Sequence, residues 1–413
     1  MENTSKKTSY GEMTKATQEQ ATGAFVDTLN AIRLRELVRR YAEIDRRKAG
    51  ADQELESLVR DIKKLIESNR GGTTGMHGFI GERVQVGFCN ERAVMQGLKA
   101  SYRLIDDNGM TDYMRNDILI QQKACQSDKA LGLTHIVAHS KKYPCYVEKN
   151  GIYQIPKDFY MKMQKFMNMP ESEAFKLRKE DLRMWRKVQE FKVAMPGVKV
   201  ESMVVTYGEI QVGAVESTIE KEKASVQKEY NKQRNEAEYA CRPTVTEGIK
   251  ATAASAAIEG VTDGVVSVFE HKQDGKKIKD FDREDWKEIG IDAAKGAGKG
   301  AARGAIVYAA TNVAHIPAGA ASAAVTGGVV IVENAVKYAK GECDGKECLG
   351  KIADGCMLTA VSAVSAEIGK KLIPIPVVGP ILGSAIGTGI YKLAKKPILK
   401  LYRFLFDAEP CVA

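Results

Sequence analysis

The chain has 413 residues, 44% hydrophobic and 28% charged, which is the balance of a folded protein and excludes wholesale disorder. Its 37 Gly and 11 Pro exclude collagen-like and proline-spacer sequences. With 62 basic against 53 acidic side chains the net charge is +9, which permits an anionic partner, nucleic acid or lipid, without requiring one.

The first twenty residues are polar and lack the apolar core of an export signal. Residues 1–24 are therefore expected to form a disordered leader, and the chain to stay in the cytoplasm. In residues 25–70 apolar side chains recur at three and four: Leu34, Leu37, Val38, Tyr41 and Ile44, then Leu55, Leu58, Ile62 and Leu65. The interruption at Ala49-Gly50-Ala51-Asp52 predicts a helical hairpin or short coiled coil. Arg70-Gly71-Gly72-Thr73-Thr74-Gly75 reads as a joint.

Residues 71–209 have a mixed α/β character. Helices are expected over 79–98, 157–169 and 172–191. Strands are expected over 102–105, 118–123 and 133–138, with an extended segment over 198–205. Tyr146 to Ile155, with Asn150-Gly151 at its centre, predicts a β-hairpin. Residues 210–242 read as a polar linker helix. From 243 to 413 the chain is rich in Gly and Ala and is expected to be all-α. The fold class is thus α+β: a helical hairpin, a small mixed α/β domain with a β-hairpin, and a helical Gly/Ala-rich region.

Eight cysteines form no CxxC pair, so reduced thiols are the default. Cys343 and Cys348 read either as free thiols in an exposed turn or as a pair closing a small loop or holding a metal. His135 and His139 lie four apart without an HExxH motif, and a strand running into a loop there argues against a zinc pair. Trp185 and Trp286 read as core residues.

One constellation carries chemistry. Asp112 precedes Ile120-Gln121-Gln122-Lys123, and Glu82 lies on the preceding helix. Asp112, Gln121 and Glu82 supply hard oxygen ligands suited to Mg²⁺ or Mn²⁺, with the Gln122 carbonyl as a further donor. Lys123 shares a strand face with Gln121 and can position an attacking water and stabilise phosphorane charge. The competing reading is a charged turn followed by an amphipathic strand. This layout resembles the PD-(D/E)xK nuclease fold, matching at Asp112, Gln121, Lys123 and, for the helix acid, Glu82. The resemblance implies a metal-dependent phosphodiester hydrolase with these four as its site. Gln121 stands where that family has Glu, which removes a ligand charge, and the Asp112–Gln121 spacing is short. With the Gly/Ala-rich tail, the whole layout resembles a group of bacterial proteins with a nuclease-like N-terminal domain and a C-terminal glycine-zipper region.

In that tail Gly296, Gly300 and Gly304 recur every four residues, as do Gly379, Gly383 and Gly387. Such spacing lets helices approach closely, in a membrane or in a tight homo-oligomer. No Asp, Glu, Lys or Arg occurs between Gly304 and Val332 or between Leu372 and Tyr391, although His315, Pro317, Pro374, Pro376 and Pro380 interrupt the runs. The end, Tyr391 to Phe406, alternates basic and bulky apolar groups, as a segment at an anionic membrane does. The reading is a bacterial toxin or phage-defence effector at the cytoplasm and inner membrane, combining a nuclease-like domain with a membrane-interacting region. Two alternatives stand beside it: a pore-forming effector with a sensor domain, and a soluble oligomeric interaction protein.

Overall fold

A single helix, α1 (Glu2–Glu67), runs where a leader and a hairpin were expected. The computed structural model describes residues 2–68, 72–107, 109–125, 130–273, 275–373, 375 and 377–406, with side chains from Thr17 to Lys395 except at Thr73 and Thr74. Arg70, Gly71, Asn108, Pro374 and Pro376, and the side chains of the cationic end beyond Lys395, lie outside the described residues. Gly50 does not break α1, because one helical glycine costs only about 1 kcal/mol. Its missing Cβ leaves room for Val94, whose Cγ1 would lie 2.7 Å from a Cβ there. Val94 belongs to α2 (Gly72–Met95), which takes the place of the expected hairpin partner. Gly72 and Gly75 are the first turn of α2 rather than a joint.

The chain divides into two compact units, residues 37–240 and residues 1–36 with 241–413. The first is α+β. Its sheet has the order β1 (Tyr102–Leu104), β2 (Tyr113–Arg115), β3 (Ile118–Gln122), β4 (Ile152–Ile155), β5 (Val200–Ser202). The first three strands form an antiparallel meander, and β4 and β5 continue the sheet in parallel. Parallel neighbours need crossovers, and helices supply them. α3 (Leu133–Lys142) and α4 (Cys145–Glu148) lead from β3 to β4, while α5 (Lys157–Met167), α6 (Glu171–Ala174) and α7 (Lys179–Ala194) lead from β4 to β5.

Two of the expected strand features are helical. Residues 133–138 lie in α3. At 146–155 the Asn-Gly pair ends α4 instead of closing a hairpin: Asn150 is left-handed at φ 56°, and the Gly151 N–H donates to the Tyr146 carbonyl at 3.0 Å. All four β4 residues are buried, as a parallel strand covered on both faces must be. Leu55, Leu58 and Ile62 of α1 pack with Ile80, Val84 and Phe88 of α2. α8 (Val215–Ala240) joins them through Val215, Ile219 and Val226, so it is a core helix and not a polar linker. A second core gathers Ile136, Tyr146, Tyr153, Phe159, Trp185 and Phe191 from α3, α4, β4, α5 and α7.

The second unit is all helical: α9 (Val245–Gln273), α10 (Arg283–Asn312), α11 (Ala318–Ala339), α12 (Gly345–Leu372) and α13 (Val378–Phe406), with the start of α1. Gln18, Glu19, Gln20 and Thr22 are buried here, in what the sequence suggested was a disordered leader. Ser322 of α11 donates to the Glu19 carbonyl, and Lys370 of α12 pairs with Asp27 at 2.8 Å. Both glycine repeats are used within the chain. A Cβ on Gly300 would lie 2.2 Å from the Ser255 carbonyl oxygen of α9, and one on Gly383 would lie 2.2 Å from that of Ser365 in α12. The first uncharged run is cut between α10 and α11 at His315–Pro317, and in the second α12 ends at Leu372 and α13 begins at Val378. Two described helices, α11 and α12, are long and apolar enough to span a membrane. Cys343 and Cys348 form a disulfide. Trp185 is buried as expected, whereas Trp286 is half exposed against Phe281.

Candidate functional site

The site begins with a turn that the sequence reading passed over. Arg115 pairs with Ile118, so Asn116 and Asp117 alone close the β2–β3 hairpin. Asn116 takes the left-handed conformation at φ 53°, which Asn tolerates through its short polar side chain. Since Tyr113 pairs with Ile120, the residue before β2, Asp112, comes beside Gln121. The short Asp112–Gln121 spacing is therefore the spacing of cross-strand neighbours in a tight hairpin.

Asp112 is held from both sides. Its N–H donates to the Ile120 carbonyl at 3.0 Å, which extends the ladder. Its Oδ2 accepts from the Gln122 N–H at 2.7 Å and from Gln121 Nε2. Burial raises the Asp112 carboxyl, against the Lys123 charge and these two hydrogen bonds, which pull it down. On α2, Glu82 is pushed up to about 8, first by burial and then by the negative charge of Asp112, with Arg83 and Lys123 opposing. Glu82 and Lys123 thus lie within electrostatic reach of Asp112, which Gln121 contacts.

Gln122 points to the other face, where its Nε2 donates to the Gly78 carbonyl of α2 at 3.1 Å. Lys123 continues the ladder, its N–H donating to the Gln154 carbonyl at 2.8 Å. Gly132, left-handed at φ 77°, sits against this backbone, and a Cβ there would lie 2.7 Å from the Lys123 carbonyl oxygen. That contact sets the start of α3 beside Lys123.

The donor set suits a hard divalent cation. Gln121 is 4% exposed, and its Oε1 is buried with no hydrogen-bond partner. A buried acceptor of this kind costs about 1–3 kcal/mol unless something satisfies it. It lies on the side chain that contacts Asp112, whose carboxyl, like that of Glu82, is raised by burial. Among the described residues no group of three His, Cys, Asp or Glu converges, so any cation here rests on two carboxylates and amide or carbonyl oxygens.

His139 also belongs to this locus, and the sequence reading missed it by assigning 133–138 to a strand. The signal was helical spacing, since Leu133, Ile136 and His139 are the buried residues of α3. Its Nδ1 lies 2.9 Å from the Tyr153 hydroxyl, and the rings of Tyr143 and Tyr146 pack around it. Burial and then the Lys123 charge lower His139 to about 4, so it is neutral at physiological pH. Comparison with family models, curated proteins and solved structures finds no match for this chain.

Proposed function

We propose that the α+β unit is a metal-dependent phosphodiester hydrolase of the PD-(D/E)xK kind. It acts within a bacterial effector of the toxin or phage-defence type whose helical unit associates with the inner membrane. The observation that supports this reading is Asp112 held by Gln121 and the Gln122 N–H, with the Gln121 oxygen unsatisfied and Glu82 and Lys123 within electrostatic reach of Asp112, at a hairpin that makes the short spacing structural.

Glu82, Asp112 and Gln121 Oε1 would hold Mg²⁺ or Mn²⁺, and the ion would supply Lewis-acid polarisation of a phosphoryl oxygen. Lys123 holds its ammonium where charge develops on the phosphoryl group and orients the attacking water by donating to it. The Gln122 N–H and Gln121 Nε2 keep Asp112 Oδ2 in one orientation. Neutral His139 adds no second positive charge next to Lys123.

The substrate is a nucleic acid. α3, which starts against Lys123, ends in exposed Lys141 and Lys142, about 15 Å further on for ten residues of helix. Lys162 and Lys165 of α5 and Arg183 and Arg186 of α7 are exposed too. These exposed basic side chains, interspersed with acids such as Glu180 and Glu190, offer contacts to a polyanion.

The test is incubation of the full-length protein with DNA and with RNA in Mg²⁺, Mn²⁺ or EDTA, alongside Lys123→Ala. Metal-dependent cleavage lost in the variant supports the reading. No cleavage of either substrate, or equal cleavage by the variant, overturns it. Toxicity in cells that Lys123→Ala leaves intact would favour the membrane-disrupting alternative.

A further inference from the structure

α12 and α13 are built inside out for water. Between them lie Ser362, Ser384 and Thr388, each fully buried, and the glycines 369, 379, 383 and 387. Their outer faces carry the large apolar groups: Val364 is 63% exposed, Ile386 62%, Ile390 61% and Leu372 76%. In water the hydrophobic effect drives the opposite arrangement, with large apolar side chains inside.

The seam needs no water. Ser362 and Ser384 share a hydrogen bond of 2.6 Å, and the Thr388 hydroxyl donates to the Ser384 carbonyl at 2.8 Å. A Cβ on Gly369 would lie 2.2 Å from the Gly379 carbonyl oxygen, so the two backbones are in contact. Close backbone packing with internally satisfied hydroxyls is what holds helices together where no hydrophobic effect can act between them. Polar groups mark both ends of the pair. Exposed Glu367 and Lys371, with Lys370 paired to Asp27, stand near the C-terminal end of α12, while Lys395 pairs with Asp354 at 2.7 Å at the other end. Val378 to Tyr391 carries no charge and spans about 21 Å of helix, short enough that the flanking lysines must reach outward to the headgroups.

We infer that the α12–α13 hairpin enters an anionic bilayer as a closed pair, with Val364, Ile386 and Ile390 toward lipid and the glycine seam inside. The run Lys392, Lys395, Lys396, Lys400 and Arg403, with no acid between them, selects an anionic lipid surface over a second copy of the chain, which would bring like charges together. The inference deepens the membrane-association part of the function proposed above and is independent of the chemistry of the hydrolase site.

The experiment uses the full chain with vesicles of phosphatidylcholine and phosphatidylglycerol in equal parts. Flotation reports membrane association. An Ile386→Trp variant reports insertion through quenching by acyl-chain-brominated lipid, measured against the parent with Trp185 and Trp286. Quenching several-fold above the parent, without change in oligomeric state, is expected. Ile386→Lys changes a side chain already exposed, so the chain should fold while insertion drops roughly a hundredfold. Flotation without added quenching would overturn the hairpin assignment and leave membrane association standing. Loss of flotation in the parent would overturn both. A dimer in sedimentation that shields the introduced indole without lipid would assign the face to a second copy and overturn the proposal.

Discussion

Gln121 Nε2 donates to Asp112 Oδ2 across the β2–β3 hairpin, so the residue that departs from the nuclease pattern is also the one that holds the acid in place. A glutamate at 121 cannot make this contact, because an ionised carboxylate only accepts. Gln121→Glu would set a third carboxylate beside Asp112 and Glu82, both already raised by burial. Without metal the variant should lose about 1–3 kcal/mol of stability. With Mg²⁺ or Mn²⁺ it should recover more than the parent gains, since the added charge is then a ligand. Thermal melts with and without metal check this, and an equal metal response in both proteins counts against a cation site.

The Lys123 charge draws down the carboxyls of both Glu82 and Asp112 and also lowers His139. Lys123→Ala should lower cleavage a hundredfold or more, as loss of a group that meets developing charge does. Stability should move by no more than about 1 kcal/mol, because the half-buried side chain leaves no large cavity. Lys123→Arg keeps the charge but replaces a compact ammonium by a planar fork, so it should fold normally and remain impaired. Single-turnover cleavage beside circular dichroism separates the two effects.

His139 gives the fold an acid sensitivity. Its proton is taken up near 6.5 in the unfolded chain and near 4 in the native one. Between those values the unfolded state holds more protons, so stability rises with pH. The contribution is fully present above about 6.5 and is lost as pH falls toward 4. Lowering pH from 7 to 4 should cost about 2 kcal/mol through this residue. His139→Gln, which can still meet the Tyr153 hydroxyl, should flatten that part of the curve. Urea unfolding at pH 7, 5.5 and 4 for both proteins is the measurement, and parallel curves would show that His139 is not the sensitive group.

That Asp112, Gln121, Lys123 and Glu82 are neighbours was more legible in the sequence than the strands that hold them. Asp112, Gln121, Lys123 and Glu82 could be picked because charged and amide groups at strand spacing near a glycine-containing helix carry their own chemical pattern. β2 was missed because three residues, Tyr113–Arg115, are too few to show alternation, and Asn116-Asp117 is a weaker turn signal than Asn-Gly. The Asn-Gly at 150–151 misled because the left-handed backbone it favours serves equally to end a helix. α1 was divided at Gly50 because local propensity is silent about α2, the neighbour that fills the groove there. The glycine repeats announced close helix packing, but spacing alone does not say that the partners α9 and α12 come from the same chain.

Two glycines of α10 separate that packing from the plain cost of glycine in a helix. Gly298 is exposed, with nothing within 4 Å of where a Cβ would stand. Gly300, two residues on and on another face, would put a Cβ 2.2 Å from the Ser255 carbonyl oxygen and 3.0 Å from Ala256 Cα of α9. Both sit in the same helix interior, so Ala offers each the same gain in backbone entropy, about 0.5–1 kcal/mol. At Gly298 nothing opposes it, and Gly298→Ala should stabilise the chain by about that amount. At Gly300 the clash is with backbone, which cannot rotate away as a side chain can. α9 and α10 must move apart, breaking the contacts along a seam that also encloses the Glu259–Arg303 pair. Overpacking of this kind costs about 1–3 kcal/mol, and a loosened buried ion pair adds to it. Gly300→Ala should therefore lower the melting temperature while Gly298→Ala raises it. Thermal unfolding of the two variants followed by circular dichroism decides the matter, and a Gly300→Ala protein as stable as Gly298→Ala would mean that α9 does not seat on this glycine face.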